Sequence, residues 1–241
     1  QRMNPLLDST NSVDRDVDKL IFSGLVKFDS RGIPAPDLAE TIGISQDGIL
    51  YNISLKPGMV WHDGEKLTTK DVLFTIELLR TGGVYIPEDI RKLWDSIEVY
   101  LFDDQHMQLK LPEAYAPFMD YLTFGVLPQH LFAGMDINEI AASAINLQPV
   151  GSGPYRFGEL LMEGSTVSGI RLLANEDYTG GRPYLQEIVF RYYPDASSAY
   201  QAYVQGAVQG ISEVPTGLLP QALANEDLRI YTGRLPRISL V

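Results

Sequence analysis

The chain has 241 residues, with 31 acidic against 19 basic side chains, a formal net charge of −12, 45% hydrophobic residues and no cysteine. That length can bury a sizeable core as one large domain or two small ones. The charge excludes a nucleic-acid partner, which needs a basic footprint, and a membrane-surface role, which needs a basic amphipathic helix; the lack of cysteine excludes disulfides and thiolate chemistry.

No apolar run approaches the roughly 18–20 residues that span a bilayer. No charged and apolar leader opens the sequence, so any signal peptide is expected to have been removed. Gln1 to Ser12 is polar and turn-rich, an extended opening. Val13 to Phe28 reads as a helix-like run, with Gly24 as its expected C-cap before a short strand. Ile33 to Leu38, with two prolines, reads as a connector.

Asp47-Gly48 predicts a hairpin turn, and Tyr51, Ile53 and Leu55 then alternate with Asn52, Ser54 and Lys56 in the period of a half-buried strand. Pro57-Gly58 and Asp63-Gly64 are turns. Thr68 is the natural N-cap of a helix, with Asp71 closing a capping box. Val72, Ile76 and Leu79 recur at helical spacing, Leu73, Phe74 and Leu78 broaden the apolar face, and Arg80 with Gly82-Gly83 is expected to end it.

Trp94 to Val99 and His106 to Leu111 read as paired strands joined by F-D-D-Q, in which Asp103 and Asp104 are a solvated turn in preference to an acid–base pair. Pro117 to Leu131 is an apolar helix and turn, and Ile137 to Leu147 a further helix. P-V-G-S-G-P-Y-R-F, from Pro149 to Phe157, lacks the lysine and hydroxyl of a P-loop, and Pro154 removes a backbone N–H; it reads as a tight turn entering a strand. Asn175 to Arg191 places a Gly180-Gly181 turn before a strand at Ile188 to Tyr193, and a helix follows from Ser197 to Gly206. Gly206 to Val214 is then expected as a strand completing a parallel, right-handed β–α–β unit. Pro215 to Asn225 reads as a helix and Leu228 to Val241 as a last strand.

Catalysis finds little support. His62, His106 and His130 fall in no metal-binding spacing, Ser152 sits in no nucleophile elbow, and His62 beside Asp63 suits a packed turn. No cofactor, metal or enzyme activity is expected.

Three segments carry a resemblance. L-K-P-G-M-V-W-H-D-G followed by L-T-T-K-D-V, then P-V-G-S-G-P-Y-R-F, then N-E-D-Y-T-G-G-R-P-Y resemble, in order, motifs of the extracytoplasmic solute-binding proteins of the peptide- and nickel-binding family, the capture subunits of ABC importers. The resemblance implies a mixed α/β fold of the periplasmic-binding-protein-like type II clamshell. This chain would form one lobe: residues 1–36 with 150–241 as the main sheet subdomain, and 37–149 as a smaller inserted subdomain carrying the first motif. The second lobe would be absent. It further implies a cleft face at Thr10, Asn11, Ser12, Val13, Tyr85, Phe124 and Gly125, a peptide, nickel chelate, haem or sugar as the solute, and a membrane permease as partner. A monomer outside the membrane is expected, periplasmic or at the cell surface and lipid-anchored in some members. Gln209 departs from the family, which usually has an acid there. A sensor or interaction domain that kept the lobe and lost transport is the alternative.

Overall fold

The computed structural model describes residues 3–7, 12–225 and 228–231, and is a mixed α/β protein as expected. It divides into two compact units, one of residues 1–160 with 170–189 and one of 161–169 with 190–241.

The first unit opens with α1 (Ser12–Ile21), followed by β1 (Val26–Phe28) and β2 (Pro34–Pro36). β2 occupies the expected connector: Pro34 to Pro36 form an antiparallel pair with β1, an edge position where proline's missing N–H is tolerated. Four strands then build an antiparallel sheet: β3 (Ala39–Ile44), β4 (Leu50–Leu55), β5 (Glu98–Leu101) and β6 (His106–Lys110), in the order β3-β4-β6-β5. Asp47 and Gly48 make the β3–β4 turn, Gly48 having a left-handed φ of 71°. Tyr51, Ile53 and Leu55 are buried as their alternation requires, and Tyr51 and Ile53 sit opposite Leu109 and Met107.

The helix of the first motif, α2 (Thr69–Thr81), begins with the expected reciprocal cap: Thr68 N–H donates to Asp71 Oδ2 at 2.8 Å, and Thr68 Oγ1 accepts from Lys70 N–H at 3.3 Å. Asp71 does more, since its Oδ1 accepts from Gln129 N–H at 2.9 Å, while Thr75 Oγ1 accepts from Leu127 N–H at 2.9 Å. The start of α2 therefore fixes the chain at 127–129, just ahead of α4 (Gln129–Phe132).

α2 ends at Thr81, at the expected Gly82-Gly83 pair. Gly82 has an ordinary φ of −66° and the left-handed residue is Gly83, at φ 54°. Gly82 is needed for space, because a Cβ there would lie 2.2 Å from Ile86 Cγ1. Arg80 donates to the carbonyls of Trp94 and Ile97, so it serves the end of the next helix more than its own. That helix, α3 (Glu88–Asp95), corrects the strand expected from Trp94: acids at Glu88 and Asp89 suit a helix N-terminus, Lys92 pairs with Glu88 at 2.7 Å, and the strand starts only at Glu98.

Asp103 is a turn residue, accepting from the N–H groups of Gln105 and His106 at 2.8 Å each, and Asp104 pairs with Lys70 at 3.0 Å. The 116–131 region is a 3-10 segment (Ala116–Thr123) and then α4, and α5 (Ile137–Ala142) is followed by a single 3-10 turn.

The third motif is fixed through its tyrosine. Tyr178 Oη donates to Asp37 Oδ1 at 2.8 Å and accepts from Lys27 Nζ at 3.0 Å, with Lys27 also 3.1 Å from the buried Asp37. A buried carboxylate is stable only when so satisfied.

Strands β7 (Tyr155–Glu163), β8 (Thr166–Ala174) and β9 (Glu187–Arg191) form the second main sheet, with β8 central. Ala174 N–H bonds to Gln186 O and Tyr192 N–H to Ser168 O, so β9 runs antiparallel to β8. The second unit carries α6 (Ala196–Val204), N-capped by Asp195 Oδ1 accepting from Ser198 N–H at 2.7 Å, and α7 (Leu219–Leu223). The expected parallel β–α–β unit does not form: residues 206–214 are turn and bend, opened by Gly206 at φ 73°, and among the described residues no strand pairs with them. Of the last expected strand, 228–231 are irregular and 232–241 lie outside the described residues.

Candidate functional site

The site grows from α1, whose residues divide by helical period. Val17 and Ile21 are wholly buried, whereas Arg15, Asp18 and Lys19, with Phe22 just past the helix end, are spaced i, i+3, i+4 and i+7 and share another face. That second face lines an open cavity of about 340 Å³, whose other walls include Leu79, Tyr85, Ile86, Phe124 and Gly125.

The C-terminal end of α1 is held by the glycine turn of the second motif. Gly153 N–H donates to Ile21 O at 2.8 Å, and Gly151 approaches so closely that a Cβ would lie 1.9 Å from the same oxygen. His62, from the first motif, fastens this turn from its other side. Its Nδ1 accepts from Gly151 N–H at 3.2 Å and its Nε2 contacts Gly153 O at 3.0 Å. A donor facing Nδ1 and an acceptor facing Nε2 fix the neutral ring protonated on Nε2.

Burial pushes the His62 pKa below its ordinary value, and Arg156 adds to this, while the bond to Gly153 and the charge of Asp63 oppose it. The unfolded chain takes up a proton on His62 near pH 6.5, and the folded chain resists until lower pH. The contribution of His62 is therefore complete above about pH 6.5 and declines as pH falls from there toward the depressed folded value. Melting curves from pH 8 to pH 5 are expected to include this decline in the native protein and to lose it in His62→Phe. That variant should also be weaker at pH 8 by roughly 1–3 kcal/mol, because Gly151 N–H is left unpaired. An unchanged pH dependence in the variant would refute the assignment.

The opposite wall rests on aromatic packing. Phe124 stands edge-on to the buried Trp94, centroids 5.3 Å apart at 89°, and Trp94 in turn meets Phe118 at 5.8 Å. Gly24 is no helix cap, since α1 ends at Ile21; it lets the chain pass the 123–124 backbone, where a Cβ would be 2.8 Å from Phe124 O. Gly125 is similarly confined, with a Cβ there 2.8 Å from Pro5. Tyr85, half-buried, closes a 3-10 turn at Gly83–Tyr85.

Of the seven residues expected at a cleft face, Tyr85, Phe124 and Gly125 meet at this cavity. Ser12 and Val13 begin α1, and Thr10 and Asn11 lie outside the described residues. The contribution of Arg15, Asp18, Lys19 and Phe22 was missed; their i, i+3, i+4, i+7 spacing was the available signal. Among the described residues no three His, Asp or Glu side chains cluster to hold a metal, and no helix is long and apolar enough to cross a membrane.

The cavity is open and largely apolar, with charged groups at one wall, a make-up common among small-ligand sites. Residues 34–240 match the profile of the bacterial extracellular solute-binding proteins, family 5 Middle, and the chain belongs to that family. It is 29% identical to the oligopeptide-binding protein AppA of Bacillus subtilis over 235 residues, covering 94% of this chain and 41% of AppA. The structure of AppA from Bacillus subtilis, in complex with a nonapeptide, matches with a TM-score of 0.80 and 28% identity over 92% of this chain and 43% of that one. NikZ from Campylobacter jejuni, in complex with Ni(L-His), matches with a TM-score of 0.75 and 29% identity over 93% of this chain and 43% of that one. The chain thus spans less than half the length of these relatives.

Proposed function

We propose that the chain is part of the capture subunit of an ABC importer, which binds an oligopeptide or similar small solute outside the membrane, closes around it, and delivers it to a membrane permease without bond chemistry. The carrying observation is the convergence of Tyr85, Phe124 and Gly125 with one face of α1 on a single cavity. The family and the peptide-bound and nickel-bound relatives favour the same reading. In the proposed layout 37–149 is an inserted subdomain between 1–36 and 150–241, and the two main sheets fall one on each side of that division. The cavity is one wall of the cleft, and the protein works as a monomer.

The test is a thermal-shift series on the intact protein with di- to pentapeptides and nickel–histidine. A ligand at a hundred times its Kd stabilises by about 2.7 kcal/mol, and Tyr85→Ala is expected to remove most of that shift while leaving the unliganded Tm nearly unchanged. A full shift in Tyr85→Ala would place the solute elsewhere.

A further inference from the structure

We propose that the cavity selects solutes that join one apolar or aromatic group to a carboxylate, the carboxylate being read by Arg15 and Lys19; this rests on the reading of the cavity as a solute-binding face. Size limits the occupant first. A cavity of about 340 Å³ lies at the small end of the roughly 300–1,000 Å³ typical of ligand sites, enough for one residue-sized group and too small for an extended peptide. Its walls set the chemistry of that group: Phe22, Tyr85, Ile86 and Phe124 present rings and aliphatic surface.

Charge selects the rest. Arg15 and Lys19 lie one turn apart on the same helix face, both at the cavity and both exposed. Acids outnumber bases 31 to 19 in this protein, and Lys27, Arg31, Lys70, Arg80, Lys92, Lys110, Arg171 and Arg182 all have acidic partners. Among the described residues Arg15 and Lys19 join no ion pair. Asp18, the carboxylate on the same wall, is buried and engaged within the protein. Two cations against one committed acid leave the mouth locally positive within an acidic surface. A guanidinium fork beside an ammonium suits a carboxylate. The overall field of the protein favours cations instead, so this mouth has the opposite preference to the rest of the surface.

Titration calorimetry on the intact protein with Ala-Ala-Phe as the free acid and as the C-terminal amide tests it, with 3-phenylpropionate as a third probe. The acid is expected to bind about tenfold more tightly than the amide, a gap that two partly screened cations supply. The gap should shrink as salt rises from about 0.05 to 0.5 M and vanish in Arg15→Gln/Lys19→Gln, the acid losing far more affinity than the amide. Competition by 3-phenylpropionate would assign the site to free small acids, and its failure to compete would assign it to a peptide end; both support the shared chemistry. Equal affinity for acid and amide, with Tyr85→Ala weakening both, would overturn this inference and keep the cavity. Indifference of both probes to Tyr85→Ala, or no binding by any of the three, would overturn the cavity reading as well.

Discussion

Replacing Gly151 with alanine is expected to lower stability by about 3 kcal/mol, the upper end of what overpacking costs, and to lower Tm by roughly 6–12 °C for a chain of this size. The cause is contact and not backbone strain. Gly151 is not among the glycines of positive φ, but its Cβ would lie 1.9 Å from Ile21 O and 2.7 Å from Ile21 C, both backbone atoms that cannot rotate away. Either the 149–154 turn withdraws or the end of α1 moves. Withdrawal breaks the His62 bonds to Gly151 and the Gly153 bond to Ile21. Gly153→Ala should behave similarly, its Cβ falling 2.5 Å from Leu20 O. Gly210→Ala is the control, since nothing lies within 4 Å of a Cβ there and its φ is not positive; it is expected to change stability by less than about 0.5 kcal/mol. Thermal or denaturant unfolding of the three variants decides the matter, and an unaffected Gly151→Ala would mean that the two motifs do not clasp α1.

This contact explains what could and could not be read from the sequence. The cap of α2 was legible because Thr68 and Asp71 are three residues apart and satisfy each other locally. The β4 alternation was legible for the same reason, one period being enough to say which side chains are buried. The glycine turn was recognisable as a motif, but its reason lies at Ile21, some 130 residues earlier, where no local pattern points. Trp94 misled because W-D-S-I-E-V mixes aromatic and β-branched residues in strand-like fashion, while the helix signals, Pro87 followed by two acids, stand earlier. Residues 206–214 carry Val208, Ile211 and Val214 among glycines and polar residues, but a strand needs a partner for its ladder, and among the described residues none pairs with them. At the cavity, helical period could divide α1 into two faces. It could not say that the face with Arg15 and Lys19 looks toward Tyr85 and Phe124, because that depends on the 3-10 turn at 83–85 and on how the 123–125 segment passes Gly24.

The second large effect is expected at Trp94. Its side chain is 1% exposed, and its ring connects Phe124 at the cavity to Phe118, which meets Tyr51 of the sheet at 4.8 Å. Trp94→Ala is expected to cost about 3–5 kcal/mol, the range for deleting a buried aromatic, and to lower Tm by roughly 6–20 °C. The variant removes only the ring, since Arg80 bonds the Trp94 carbonyl and can keep doing so. Trp94→Phe retains a ring of smaller span and should recover more than half of that stability. Solute binding separates packing from function. If Phe124 holds its place at the cavity because Trp94 backs it edge-on, Trp94→Phe should bind the solute several-fold more weakly than the native protein even at temperatures where both are fully folded. Equal affinity in the two would mean that the turn at 123–125, set by Gly24 and by the Val126 bond to Ser23 O at 2.9 Å, positions Phe124 without help from the aromatic chain.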